Sequence, residues 1–347
     1  MVVFGIDAHK HNHTVVAVNG GGEQLGQLQV QATPAGHLQL FSWAQSFGRG
    51  RFGVEDCRHL SRRLEADLLA AGAEVVRVPT KLMAGVRRSA RTRGKSDPID
   101  ALAVARAVLR EPDLPTAHLD GPARELKLVF DYRQGLVRER TGLQNRLRWR
   151  LHELRPGFDP PKGALDRYRV LDEIEALLSL EKGTVAELGR QETGRIRELT
   201  RGIKRLEKEM AAGVREIAPA LLALPGVGAI TAARLIGETA DVTRFRHRDA
   251  YAMWTGTAPI PVWSGNEERF RLNRGGNRQV NSALHLIAVT QARCHPPARV
   301  FITRRLAGGD TRKEAIRALK RRLSDVVYRT LLAEAQTSRQ SVSTRAA

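Results

Sequence analysis

The chain opens on short apolar runs separated by tight turns. Val2-Val-Phe-Gly-Ile6 is a β-rich run ending at Asp7, and His13 to Asn19 is a second such run. Gly20-Gly-Gly22 turns the chain into a third, Leu25 to Gln31. The period then changes. Residues from about Ala35 to Phe47 read as a helix, Arg51 to Glu55 as a strand, and Leu60 to Ala71 as a helix with apolar residues at 60, 64, 68 and 69. Glu74 to Val78 is a further strand, and Pro98 to Leu109 a helix with proline in its first turn. Three strands joined by tight turns, then strand–helix–strand–helix, predict a mixed α/β sheet with helices packed on it over residues 1–115.

The middle of the chain, residues 116–217, is helical in pattern and rich in Arg, Glu and Leu. Ile196, Leu199, Ile203, Leu206 and Met210 alternate spacings of three and four, the seam of a short coiled coil. Pro156, Pro160 and Pro161 divide the segment into two helical arms, and the seam is expected to join protomers. Residues 218–335 read as a mainly α domain. It opens with Leu224-Pro-Gly-Val-Gly228 between helices, which resembles the hairpin of a helix-hairpin-helix element whose glycines admit a phosphate to a helix N-terminus. Thr257 to Gly265 is expected to be a loop, followed by Arg269-Phe-Arg-Leu-Asn-Arg-Gly-Gly-Asn-Arg278 and apolar helices. The small polar residues of 336–347 are expected to form a disordered tail.

Charge changes the picture. Lys and Arg number 57 against 37 Asp and Glu, a net +20 on 347 residues. An excess of that size points to a polyanionic partner, because each basic group displaces a counterion condensed on a phosphate backbone. Cys57 and Cys294 are the only cysteines, which excludes a disulfide framework and a cysteine-rich zinc site and fits a reducing cytoplasm. No apolar run approaches the roughly 20 residues of a membrane span, so no membrane partner is expected.

On so basic a chain, carboxylates at strand ends stand out. Asp7 ends the first strand, Glu55 ends Phe-Gly-Val-Glu, and Asp97 and Asp100 lie three apart at a helix start. Docked against the sheet, that helix brings the four together. They cannot all stay ionised without compensating cations, and hard divalent ions, Mg²⁺ or Mn²⁺, suit an all-oxygen site. Two such ions can clamp the attacking and leaving oxygens of an in-line phosphoryl displacement. Strand alternation turns Asp56 to the other face. Plainer uses exist: Asp97 before Pro98 suits a helix N-cap, and Glu55 can pair with an arginine.

Gly5-Ile-Asp7, Gly53-Val-Glu55 and Lys95-Ser-Asp-Pro-Ile-Asp-Ala101 together resemble the acidic signature of the DEDD transposases of the insertion-sequence one-ten family. Leu224-Pro-Gly-Val-Gly228, Ala258-Pro-Ile-Pro with Ser264-Gly265, and Arg271-Leu-Asn-Arg-Gly-Gly-Asn-Arg278 resemble that family's C-terminal transposase domain. The resemblance runs in order over nearly the whole chain. It implies a RuvC-like, ribonuclease H-type N-terminal domain and a metal-binding tetrad of Asp7, Glu55, Asp97 and Asp100. It also implies a nucleophilic Ser264 that forms a phosphoserine intermediate during DNA strand exchange. By the same resemblance, a structured RNA from the element's flank guides recombination between donor and target DNA, and the protein works as a homo-oligomer in a prokaryotic cytoplasm, at the nucleoid. A junction-resolving endonuclease using a metal-activated water is the alternative.

The residues themselves add three points. Ser264-Gly265 also reads as an ordinary turn, and no histidine is its sequence neighbour, so activation would have to come from elsewhere. Arg87, Arg88, Arg91, Arg93 and Lys95 run into the acidic site and are expected to hold a scissile backbone. Arg146 and Arg148 on the first arm, and Arg269, Arg271, Arg274 and Arg278 after Ser264, are the other expected nucleic-acid contacts. Aromatics are only 5%, too few for a base-stacking platform, which leaves base choice to a guide strand.

Overall fold

The structure is a computed structural model, and it describes residues 1–55, 57–79, 82, 96–111, 114–117, 121–265 and 267–346. The chain forms two compact units, Met1–Asp120 and Gly121–Ala347.

In the first unit, β1 (Val2–Ala8), β2 (Asn12–Val18) and β3 (Gln24–Gln31) precede α1 (Pro34–Gln45), β4 (Gly50–Glu55), α2 (Arg58–Ala70), β5 (Glu74–Val78) and α3 (Asp97–Arg110). The strands form one sheet in the order β3-β2-β1-β4-β5. The first three pair antiparallel through tight turns, whereas β4 and β5 return parallel after helical crossovers. β1 is apolar at consecutive positions because both of its faces are covered. Phe4, Ile6, Val15 and Ala17 pack with Leu40 of α1 and with Leu64 and Leu68 of α2. On the other face Val3, Val16 and Val76 pack with Ala101, Val104 and Val108 of α3. Each element expected in this part of the sequence is present, with ends shifted by a few residues.

The second unit is mainly helical: α4 (Pro122–Leu154), α5 (Tyr168–Ser179), α6 (Thr184–Ile217), α7 (Pro219–Leu222), α8 (Ala229–Thr239), α9 (Arg248–Trp254), α10 (Arg278–Cys294), α11 (Pro296–Ala307) and α12 (Arg312–Ala346). A hairpin of β6 (Ile260–Ser264) and β7 (Glu267–Arg271) interrupts the helices. Leu126 and Phe130 near the start of α4 share a core with Met210 and Val214 near the end of α6. Leu143, Leu147 and Leu151 share another with Ile196 and Leu199. Helices α4 and α6 are therefore antiparallel neighbours.

That pairing and the length of α12 correct three expectations. The Ile196–Met210 seam is buried within the chain, against its own α4, so it does not require a second protomer. No division falls near residue 217, because Leu126, Phe130, Met210 and Val214 enter the same core as Leu235, Ile236 and Ile287. The arm and the C-terminal segment are one body. Helix α12 runs on to Ala346, through the residues expected to be a loose tail; nothing in that stretch is a helix breaker, and Arg, Gln and Ala favour continuation. Among the described residues no helix is long and apolar enough to cross a membrane.

Candidate active site

Register puts the first two acids side by side. Gly5 lies opposite Gly53 and Ile6 opposite Val54 on parallel strands. Asp7 and Glu55 follow on the same face as those glycines, the face that α3 covers. The two glycines are what let the helix come so close. A Cβ on Gly5 would lie 2.1 Å from the Ala101 carbonyl oxygen and 2.3 Å from the Ala105 nitrogen, both backbone atoms of α3. On Gly53 it would lie 2.4 Å from a Val108 methyl.

That close approach delivers the first turn of α3 to the end of β1. Ser96 is the N-cap residue, and Asp97 and Asp100 both lie in the first turn. The plain use of Asp97 as the cap is therefore not realised. His9 Nε2 lies 3.1 Å from Asp7 Oδ2 and 3.5 Å from Asp97 Oδ1, joining strand and helix acids. Asp7 and Asp100 are buried, while the side chains of His9 and Asp97 are about half exposed at 48% and 42%. Burial pushes the Asp7 carboxyl above its ordinary value; His9 opposes that, and the charges of Asp100 and Asp97 reinforce it. Two buried carboxylates, Asp7 and Asp100, and the half-exposed Asp97 thus crowd one end of the sheet, reached by one imidazole. Among the described residues the ligand atoms that come within 4.8 Å of one another are those of Asp7, His9 and Asp97. The charge of Asp100 acts on Asp7, and Glu55 ends the strand that runs parallel beside that of Asp7.

The C-terminal motifs separate into builders and exposed groups. Ser264 is the last residue of β6, paired with Glu267, and Gly265 has φ +61°, as a two-residue hairpin turn requires. The expected loop is thus half hairpin: Gly265-Asn266 is a turn signal between runs able to pair. The side chains of Ser264 and Arg269 lie outside the described part of the chain. Gly276 abuts Gly256, where any Cβ would come within 2.2 Å of the Gly256 nitrogen. Asn277 caps α10 by accepting from the Gln279 and Val280 amides at 2.9 and 3.0 Å, and its amide donates to Glu238 at 2.8 Å. Asn273 donates to the Met253 carbonyl at 2.9 Å. Asn281 donates to those of Thr255 and Gly256 at 2.9 and 3.1 Å. Arg271, Arg274 and Arg278 are exposed. In Leu224-Pro-Gly-Val-Gly228, Gly226 takes φ +79° and Gly228 is the N-cap residue of α8.

Comparison with known proteins fits both halves of this arrangement. The DEDD transposase model of the IS110 type matches residues 4–156, and the model described as transposase IS116/IS110/IS902 family matches residues 218–303. The chain belongs to the IS116/IS110/IS902 family of transposases. Its relatives include the uncharacterized 44.8 kDa protein of insertion element IS116 from Streptomyces clavuligerus, 25% identical over 93% of each chain. The uncharacterized 42 kDa protein of IS900 from Mycobacterium paratuberculosis is 26% identical over 93% of this chain and 94% of its own. Among solved structures, Thermus thermophilus RuvC in complex with Holliday junction substrate covers 34% of this chain and 99% of its own, with 15% identity and a TM-score of 0.27. As a member of this transposase family, the protein is an enzyme acting on DNA, and a DEDD signature implies dependence on a divalent metal ion.

For this IS110-type transposase, the expected basic residues divide. Arg87, Arg88, Arg91, Arg93 and Lys95 lie outside the described residues, as does Asp56. Arg148 is turned to structural use: it donates to Asp159 at 3.0 Å and to the carbonyls of Pro160 and Pro161. Arg146 lies 3.4 Å from Glu192 and stays largely exposed. His9 is the site residue that sequence reasoning missed. The signal was present, since the alternation that places Asp7 places His9 just beyond the end of the same strand.

Proposed function

We propose that this transposase excises and inserts its element by metal-assisted cleavage and exchange of DNA strands. The first unit is read as RuvC-like, which its sheet order and the DEDD match support. The observation that carries the reading is the meeting of Asp7 and Asp97 across His9 at the point where α3 docks. Asp7, Glu55, Asp97 and Asp100 would hold Mg²⁺ or Mn²⁺, with water completing the coordination of each ion. Such an ion, when bound, supplies positive charge to phosphate oxygens as negative charge develops. The protein's own part is to hold four acids on rigid elements, with Asp7 and Asp100 shielded from water.

Ser264 is assigned as the nucleophile. Its oxygen forms a bond to a DNA phosphorus as the bond to a sugar oxygen breaks; the serine proton leaves and the sugar oxygen gains one. Attack by a sugar hydroxyl of another strand reverses the exchange and restores the serine. The exposed Arg271, at the end of the same hairpin, and Arg274 and Arg278 beyond it would hold phosphates of donor or target DNA, or of a guide RNA from the element's flank. Expression with the native flanking DNA tests the RNA role: one discrete flank-derived RNA retained through nuclease treatment supports it, and random host fragments would remove it. Trapping on a nicked substrate tests the serine. An SDS-stable protein–DNA adduct should form and be absent from Ser264→Ala, whereas cleavage that survives the substitution would assign the nucleophile to water.

A further inference from the structure

We infer that His9 is itself a ligand of the metal at the acidic site, through Nε2, so that the site is a mixed nitrogen–oxygen site rather than all-oxygen. This rests on the reading of Asp7 and Asp97 as metal-holding residues. Three observations carry it. His9 Nε2 is 3.1 Å from Asp7 Oδ2 and 3.5 Å from Asp97 Oδ1. Neighbouring donors around an ion with bonds of about 2.1 Å stand about 3 Å apart, so Nε2 sits where a coordinating atom would. Second, His9 follows β1 by one residue and contacts a helix acid from another part of the chain, so it stands between the two carboxylates rather than beside one. Third, the imidazole is about half exposed, so exchanging its hydrogen bond to Asp7 for a metal bond requires no burial of new polar surface.

An imidazole coordinates an ion through one ring nitrogen while the other carries the ring proton, so an ion at Nε2 takes the place of the Nε2–Asp7 contact and leaves the proton on Nδ1. The chemical consequence is selectivity. Mg²⁺ prefers oxygen donors, while an imidazole raises affinity for transition ions, so the nitrogen shifts preference toward Mn²⁺.

Pulsed EPR of Mn²⁺ bound to the full-length protein reads the ligand directly, without turnover. The electron spin-echo modulation of a directly bound nitrogen should appear in the wild-type protein, shift when histidine is ¹⁵N-labelled, and vanish in His9→Ala. Titration should show Mn²⁺ affinity falling about tenfold or more in His9→Ala, and Mg²⁺ affinity falling less. The labelled wild-type protein gives an answer even if the variant fails to fold. Mn²⁺ bound in the wild type without nitrogen modulation overturns the assignment of His9 while leaving the acidic site intact. Modulation that persists in His9→Ala overturns it too, since another nitrogen is then responsible. If Asp7→Asn and wild type both fail to bind Mn²⁺, the reading of the acidic site falls, and this inference with it.

Discussion

His13 and His37 stack on the α1 face of the sheet, both 2% exposed, with ring centroids 5.2 Å apart. Their Nε2 atoms are 3.2 Å apart, and His37 Nδ1 lies 2.5 Å from Asp67. His13 Nδ1 is buried with no hydrogen-bond partner among the described residues. Burial, and then the nearby His37 and His9, lower the His13 pKa to about 4. The unfolded chain therefore binds a proton between about pH 6.5 and 4 that the folded one does not. This contribution to stability is complete above pH 6.5 and is lost as the pH falls toward 4, at up to about 1.4 kcal/mol per pH unit. Thermal melts at pH 7.5 and 5 should show wild type losing more than His13→Asn; parallel curves would refute the argument. Cys57 gives a second residue-scale prediction. Burial, followed by the charges of Glu55 and Asp7, pushes its thiol up to about 11. About one molecule in a thousand then carries the thiolate at pH 8. Iodoacetamide on the folded protein should modify the exposed Cys294 first, and labelling of Cys57 at a matching rate would contradict this.

At the scale of elements, the acidic site depends on how closely one helix lies on one strand. Gly5 meets backbone atoms of α3, which cannot move without displacing the helix; Gly53 meets the end of Val108, which can. Gly5→Ala should cost about 1–3 kcal/mol by overpacking and shift Asp97 and Asp100 away from Asp7. Gly53→Ala should be milder in both respects. Denaturant melts and Mn²⁺ titration of the two variants check the order, and equal effects would mean that α3 docks less tightly than these distances say.

For the whole molecule, a net charge of +20 overstates the basic surface available to a polyanion. The arm's arginines are largely paired across helices: Arg133 with Glu207 at 3.1 Å, Arg150 with Glu192 at 2.9 Å, and Arg195 with Glu139 at 2.9 Å. DNA binding should weaken steeply with salt, yet with fewer phosphate contacts than the net charge suggests. A slope of log K against log salt on the order of −5 to −9, about 6–10 contacts, is expected from filter binding. A slope near zero would mean that phosphate contacts do not hold the DNA.

The amino-acid sequence alone determined the elements of the first unit, because alternation, glycine turns and a proline-led helix are local signals. It also determined that Asp7 and Glu55 stand at strand ends and that Asp97 and Asp100 open a helix, since strand ends and a helix start are legible in one dimension. The seam from Ile196 to Met210 was legible too, but not its partner: a heptad pattern states that a face is apolar, and only the folded chain shows α4 covering it. The same holds for Arg148, whose acceptors lie eleven to thirteen residues away across a proline turn. His9 became part of the site only in three dimensions. Its distance to Asp97 is set by a helix that begins nearly ninety residues later and is seated by Gly5. Periodicity reports which face a residue takes; which groups meet across that face is decided by packing.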